Sequence, residues 1–171
     1  MIHLYLGIIL KMKKDALNDI MDAFARECRE LGLKVTYQRM EIFRVAVSTD
    51  EHPDAVTVHK RVKKRIPTIS LDTVYRNLKL LAAHGLLAVV GTSGEHLRFD
   101  ANRGPHHHFA CVKCGMIRDF TSEVLAALPL PQEVRHLGVP LSQHLEVKGI
   151  CAACEKKEGT KKKASRQKRN A

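Results

Sequence analysis

Ser70-Leu-Asp-Thr-Val-Tyr-Arg-Asn-Leu-Lys-Leu-Leu81 is the stretch from which the fold can be read. Ser70 is a strong N-cap. Val74, Leu78 and Leu81 follow at four- and three-residue steps, a buried stripe, and Gly85 supplies the stop of a helix over 71–83. Thr73, Tyr75, Arg76 and Lys79 are left facing outward. Upstream, Leu17, Ile20, Met21, Phe24, Cys28 and Leu31 mark an amphipathic helix from Asp15 to Gly32. Cys28 lies on its stripe and reads as a small buried hydrophobe. Thr36 caps a second helix through Val47, and Asp54 caps a third carrying Val58 and Val62, which must end before Pro67. The other face of that third helix holds Lys60, Arg61, Lys63, Lys64 and Arg65. Downstream, the runs Leu86–Val90 and His96–Asp100, joined by Gly91-Thr92-Ser93-Gly94, predict a β-hairpin. Helices followed by a hairpin make a winged-helix arrangement. The last helix would enter the major groove, and the hairpin would lie along the backbone. Arg76 suits guanine or phosphate, and Tyr75 suits a thymine methyl group.

The chain has 171 residues and a net charge of +11, enough for one or two small domains and suited to a nucleic-acid partner. Eight Lys and Arg against two Glu lie between Glu155 and Ala171, and residues 156–171 are expected to be a disordered basic tail. Ile2–Leu10 is apolar, but no basic residue precedes it and nine residues are too few to span a bilayer. Residues 1–14 read as an N-terminal extension, with Met12 as an alternative start. A cytoplasmic protein without a membrane anchor is expected.

A second dense stretch runs from Asp100 to Asp119. Cys111-Val-Lys-Cys114 is matched by Cys151-Ala-Ala-Cys154, and two such pairs favour structural Zn2+. A segment of about fifty residues usually needs a metal, a disulfide or a partner chain to hold together. A thioredoxin-like role would leave one pair idle, and no βαβ pattern precedes the first. Strands are expected over His106–Val112 and Met116–Phe120, a short helix over Ser122–Leu128 ended by Pro129 and Pro131, and a further strand within Gly138–Gly149. On a strand His106 and His108 share a face while His107 points away. Asp100 and Asp119 are placed to join them around iron(II), manganese(II) or zinc. The plain alternative is a solvated His run.

Thr36-Tyr-Gln38-Arg39, His52-Pro, Thr73-Val-Tyr75-Arg76-Asn-Leu, His106-x-His108-x-x-Cys111-x-x-Cys114-Gly and Gly149-x-Cys151-x-x-Cys154 occur in this order. In these motifs the chain resembles the ferric uptake regulator family, from about Leu17 to Cys154. The resemblance implies a homodimeric, metal-responsive repressor of operator DNA and no enzyme. It implies an α+β protein with a winged-helix DNA-binding domain over 15–100 and a small α/β metal-binding and dimerisation domain over 101–155. Structural zinc would sit on Cys111, Cys114, Cys151 and Cys154. Regulatory Fe2+ or Mn2+ would sit on His52, Asp100, His106, His108 and Asp119. DNA would meet Gln38, Arg39, Thr73, Tyr75, Arg76 and Lys79.

Asp100 closes Arg-Phe-Asp and Asp119 closes Cys-Gly-Met-Ile-Arg-Asp. In both respects the chain is most similar to the peroxide-stress branch of the family. Iron-uptake members more often carry Glu at the second position. In the peroxide-stress branch, iron-dependent oxidation of ligand histidines, here His52 and His106, releases DNA. Where many members have a His, this chain has Gln143 with His144 beside it. On a strand that offset turns the ring to the other face, so no additional metal site is expected. His59 replaces a common Tyr and takes no assigned role, and His84, His96 and His136 are expected at the surface. The rival readings are an iron-, zinc- or manganese-uptake repressor without peroxide chemistry, and a zinc-stabilised thiol redox or metal-storage protein. The Thr73–Leu78 helix speaks against the last.

Overall fold

A computed structural model describes residues 2–91, 97–140 and 143–157. The expected turn residues Thr92, Ser93 and Gly94, His96, and the tail from Glu158 onward lie outside them. The chain divides into two compact units, Met1–Arg103 and Gly104–Ala171.

The first unit contains α1 (Ile2–Glu30), α2 (Tyr37–Val47), α3 (Ala55–Val62), α4 (Leu71–Ala83), β1 (Ala88–Val90) and β2 (Arg98–Asp100). The three expected caps are made. Thr36, Asp54 and Ser70 accept from the backbone N–H of Arg39, Thr57 and Thr73 and satisfy donors that a helix start leaves open. Gly85 takes φ +69°, the left-handed conformation that ends α4. α1 is longer than the periodicity predicts. It takes in the stretch read as an extension, because Ile2–Lys14 contains no proline and one glycine. Met21, Phe24 and Cys28 of α1 pack with Ile42 and Phe43 of α2, Val58 and Val62 of α3, Val74, Leu78 and Leu81 of α4, and Leu86, Leu87 and Phe99. The Phe24 and Phe43 rings stack with centroids 3.8 Å apart. Burial pushes the Cys28 thiol above its ordinary pKa, so it stays neutral, as the helical stripe predicts.

β1 and β2 pair antiparallel with Val89 opposite Phe99. The strands are shorter than expected, since Leu86 and Leu87 turn into the core before β1 begins. A third segment joins the other edge of β2. Asp54 bridges Arg98, the Phe99 N–H donates to the Pro53 carbonyl at 3.1 Å, and Arg98 donates to the His52 carbonyl at 3.2 Å. Three helices carrying this small sheet are the winged-helix arrangement. No helix among the described residues is long and apolar enough to cross a membrane.

The second unit contains β3 (His107–Cys111), β4 (Ile117–Phe120), α5 (Glu123–Ala126), α6 (Gln132–Leu137) and β5 (Glu146–Gly149). The sheet order is β4-β3-β5, antiparallel between β3 and β4 and parallel between β3 and β5. The parallel pairing needs a crossover, which α5 and α6 provide. α6 was not expected from the sequence: Pro131 stands at its start rather than marking a break. Ala152–Lys157 is helical, so the first two residues assigned to the tail belong to a helix.

Replacing Phe43 with Ala should destabilise the first unit by about 3–5 kcal/mol, because the cavity opens beneath Phe24. Urea unfolding followed by helical circular dichroism measures this, and the metal content of the second unit should not change.

Candidate metal centres and nucleic-acid interface

The thiol cluster is built by strand register. Cys111 ends β3 and lies opposite Gly149 of β5, so the chain leaving β5 carries Cys151 alongside it. The Val112 N–H donates to the Gly149 carbonyl at 2.8 Å and holds that junction. A Cβ on Gly149 would stand 3.0 Å from the Phe109 ring, a tight contact that the ring would have to relieve by shifting. A turn closed by Gly115 at φ +70° folds Cys114 back toward Cys111. The helix over 152–157 then returns Cys154. All four sulfur atoms lie within 4.8 Å of one another, and none is in a disulfide.

Cys114 Sγ and Cys151 Sγ are 3.8 Å apart. Tetrahedral zinc with Zn–S bonds of about 2.3 Å places its sulfurs about 3.8 Å apart, so the spacing fits that ion. The backbone N–H groups of Cys151 and Cys114 lower the Cys111 thiol to about 6, against the opposing effect of burial. Hydrogen bonds to the thiols of Cys151 and Cys114 push Cys154 up to about 12. Cys111 favours the thiolate and Cys154 keeps its proton. A divalent ion would displace that proton and neutralise the crowded sulfurs.

The imidazole and carboxylate donors fall in both units. In the first, the pairing of the His52-Pro53-Asp54 segment with β2 brings His52 Nε2 to 3.7 Å from Asp100 Oδ1, with both side chains almost wholly buried. His52 takes φ +48°, a left-handed conformation that costs a non-glycine residue on the order of 1–3 kcal/mol. In the second unit, His106 Nε2 and His108 Nε2 lie 2.9 Å apart and face Asp119 Oδ1 at 3.9 and 3.5 Å. His108 and Asp119 are cross-strand partners in β3 and β4. His106 Nδ1 lies 2.8 Å from the Gly104 carbonyl. A proton placed there leaves Nε2 as the lone-pair donor. Two nitrogens bound to one ion at about 2.1 Å and at right angles would lie about 3.0 Å apart, which the His106–His108 spacing matches. Nitrogen with carboxylate oxygen suits iron(II), manganese(II) or zinc.

His107 points away, as alternation predicts. Its Nδ1 accepts from the Leu145 N–H at 3.2 Å and its ring packs on Phe120. The strand on which His144 was expected is shorter than the sequence reading. β5 begins only at Glu146, so the strand argument does not apply there. The His144 ring lies 6.1 Å from that of His108. His59 acquires a structural role that the sequence did not suggest: its Nε2 lies 3.0 Å from the Ile69 carbonyl and ties α3 to the turn before α4.

The expected DNA-facing residues cluster at α4 and the start of α2. Tyr75, Arg76, Lys79 and Gln38 are exposed, and Arg39 and Thr73 are half-buried. Asp72 holds Arg76 Nε, and Lys79 Nζ lies 5.5 Å above the Tyr75 ring. The Thr73 hydroxyl is 2.8 Å from the cap hydroxyl of Ser70. Of the basic face on α3, Arg61 pairs with Glu51 at 2.6 Å, and Arg65 just beyond the helix with buried Glu41 at 3.2 Å.

A family model described as the ferric uptake regulator family matches residues 30–158. The chain is 34% identical over 132 residues to the peroxide operon regulator of Bacillus subtilis, covering 76% of this chain and 90% of that one. It is 33% identical to the peroxide-responsive repressor PerR of Staphylococcus epidermidis, covering 77% and 87%. Among solved structures, the iron-containing ferric uptake regulator of Francisella tularensis is 31% identical with a TM-score of 0.59, covering 72% of this chain and 96% of that one.

Cys111→Ser should abolish stoichiometric zinc, read by elemental analysis of purified protein. Because β3 and β5 are then no longer tied at their ends, the second unit should also become sensitive to proteolysis.

Proposed function

The chain belongs to the ferric uptake regulator family, and from that premise we propose that it is a homodimeric, metal-dependent transcriptional repressor of the peroxide-sensing kind. The observation that carries the reading is the donor set. His52 and Asp100 are paired in one unit, and His106, His108 and Asp119 are grouped in the other. Neither set is a full coordination sphere. One Fe2+ or Mn2+ ion held by all five would join the DNA-binding half to the dimerisation half. Metal and operator DNA would then stabilise the same arrangement and each would tighten the other's binding. Structural zinc on Cys111, Cys114, Cys151 and Cys154 would keep the second unit folded throughout.

Iron(II), when bound, would supply electrons for cleaving hydrogen peroxide. One of its oxygen atoms would pass to the ring of His52 or His106 and the other would leave as water. An oxidised ring is a poorer ligand, so its loss would uncouple the halves and release the double-stranded operator. Arg76, Lys79 and Arg39 would neutralise phosphate or read guanine, Tyr75 would meet thymine, and Gln38 and Thr73 would complete the contact. The second unit offers a surface for a second copy. β5 is an edge strand, and Val147, Ile150, Val124, Leu137 and Val139 expose apolar area that a partner would cover. The work of such a protein is regulatory rather than catalytic, and its place is the cytoplasm.

The peroxide reading over a plain uptake repressor is supported by Asp119, shorter by one methylene than glutamate, and by the curated relatives named above. The iron(II) form should lose DNA binding at micromolar peroxide while the manganese(II) form resists, read by gel shift on a selected duplex. Mass spectrometry should find one added oxygen on a peptide containing His52 or His106. Oxidation confined to Cys111 or Cys114 would instead make the mechanism thiol-based. Asp119→Glu should retain metal-dependent DNA binding with a blunted peroxide response. A fully sensitive Asp119→Glu protein would remove the reason for preferring this branch.

A further inference from the structure

We propose that Asn77 is a positioning residue for DNA contact, fixing Arg39 of α2 beside the reading helix α4 so that its guanidinium meets a phosphate; this rests on the repressor reading. The link joins residues far apart in the chain. Arg39 Nε donates to Asn77 Oδ1 at 3.2 Å. Asn77 Nδ2 donates to the Thr73 carbonyl, one turn back, at 2.8 Å. The second bond decides the first. An amide has its donor and acceptor on opposite sides, so engaging Nδ2 with α4's own backbone turns Oδ1 outward toward Arg39.

Arg39 is held at further points. Its guanidinium also donates to the Lys34 carbonyl, and its backbone N–H donates to the Thr36 cap hydroxyl at 3.2 Å. A guanidinium carries five N–H donors in a rigid fork. The side-chain bonds engage Nε and one terminal nitrogen, so the Nη2 hydrogens take part in neither. A long side chain that would lose its freedom on docking has already lost it here. Asn77 shares its turn with Tyr75 and Arg76, so the immobilised charge stands beside the reading face. Arginine in this state suits a phosphate oxygen flanking the groove.

The same bonds would exist if Asn77 merely tied α2 to α4, and salt dependence separates the two roles. The experiment uses the full chain with its zinc and with manganese(II) added. The probe is a fluorescent duplex recovered from a random library by the wild-type protein. Affinity is measured by anisotropy across a range of salt for wild type, Asn77→Ala, Arg39→Ala and the double variant. Thermal unfolding sets a temperature at which every variant is folded. Arg39→Ala should reduce the salt slope by about 2 per dimer, one phosphate lost in each half-site. Asn77→Ala should weaken binding by about fivefold or more with a partial loss of the same slope, and should add less than about twofold in the Arg39→Ala background. Additive losses, or a weakened Asn77→Ala protein with an unchanged slope, would assign Asn77 to the fold alone and overturn the proposal. So would an Asn77→Ala protein that binds like wild type. A wild-type protein that recovers no duplex overturns the repressor reading and this one together.

Discussion

Four sulfur atoms held within 4.8 Å of one another are the constraint on which the C-terminal unit depends. That unit buries little apolar surface: Ala110, Cys111, Ile117 and Cys151 are its buried hydrophobic residues among those described. So small a core does not offset the conformational entropy of ordering three strands and their crossover. Cross-linking the end of β3 to the end of β5 supplies what the core lacks. The same sheet holds His108 and Asp119 at fixed register, with His106 just ahead of β3.

The N-terminal unit solves the opposite problem. Its helices bury a continuous apolar core. Their caps and the short sheet place charged and aromatic side chains on the outside of α4. The one non-glycine residue at positive φ among the described residues, His52, sits where the segment ahead of α3 pairs with β2. Strain there is compensated by the bonds of its neighbours, the Pro53 carbonyl with Phe99 and Asp54 with Arg98. A buried imidazole and a buried carboxylate are thus set side by side, and the carboxylate also accepts from the Asn102 N–H at 2.7 Å.

Much of this was legible in the residues. Ser70, Thr36 and Asp54 announce helix starts because their side chains satisfy backbone donors wherever they stand, and the structure uses all three. The stripe Val74, Leu78, Leu81 is buried as its spacing requires. Alternation separated His107 from His106 and His108. The failures share a cause. α6 was missed because its short turn buries no residue and carries no periodic signal, and His144 was judged by a strand that starts two residues later. The full length of α1 was missed because apolar residues without punctuation do not show where a helix begins.

Sequence alone determined the helix caps, the apolar stripes, the two Cys pairs and the inventory of His and Asp ligands, since these follow from residue type and spacing along the chain. It did not determine which distant groups meet. Tertiary structure decided that Pro53 pairs with Phe99 and so sets His52 against Asp100. It likewise decided that β5 runs parallel to β3 and so sets Cys151 against Cys111, and that Asn77 takes hold of Arg39. Each of these depends on a register or a crossing between elements tens of residues apart. Such pairings are selected by the packing of the whole unit, because no local preference of the chain distinguishes one from its neighbours.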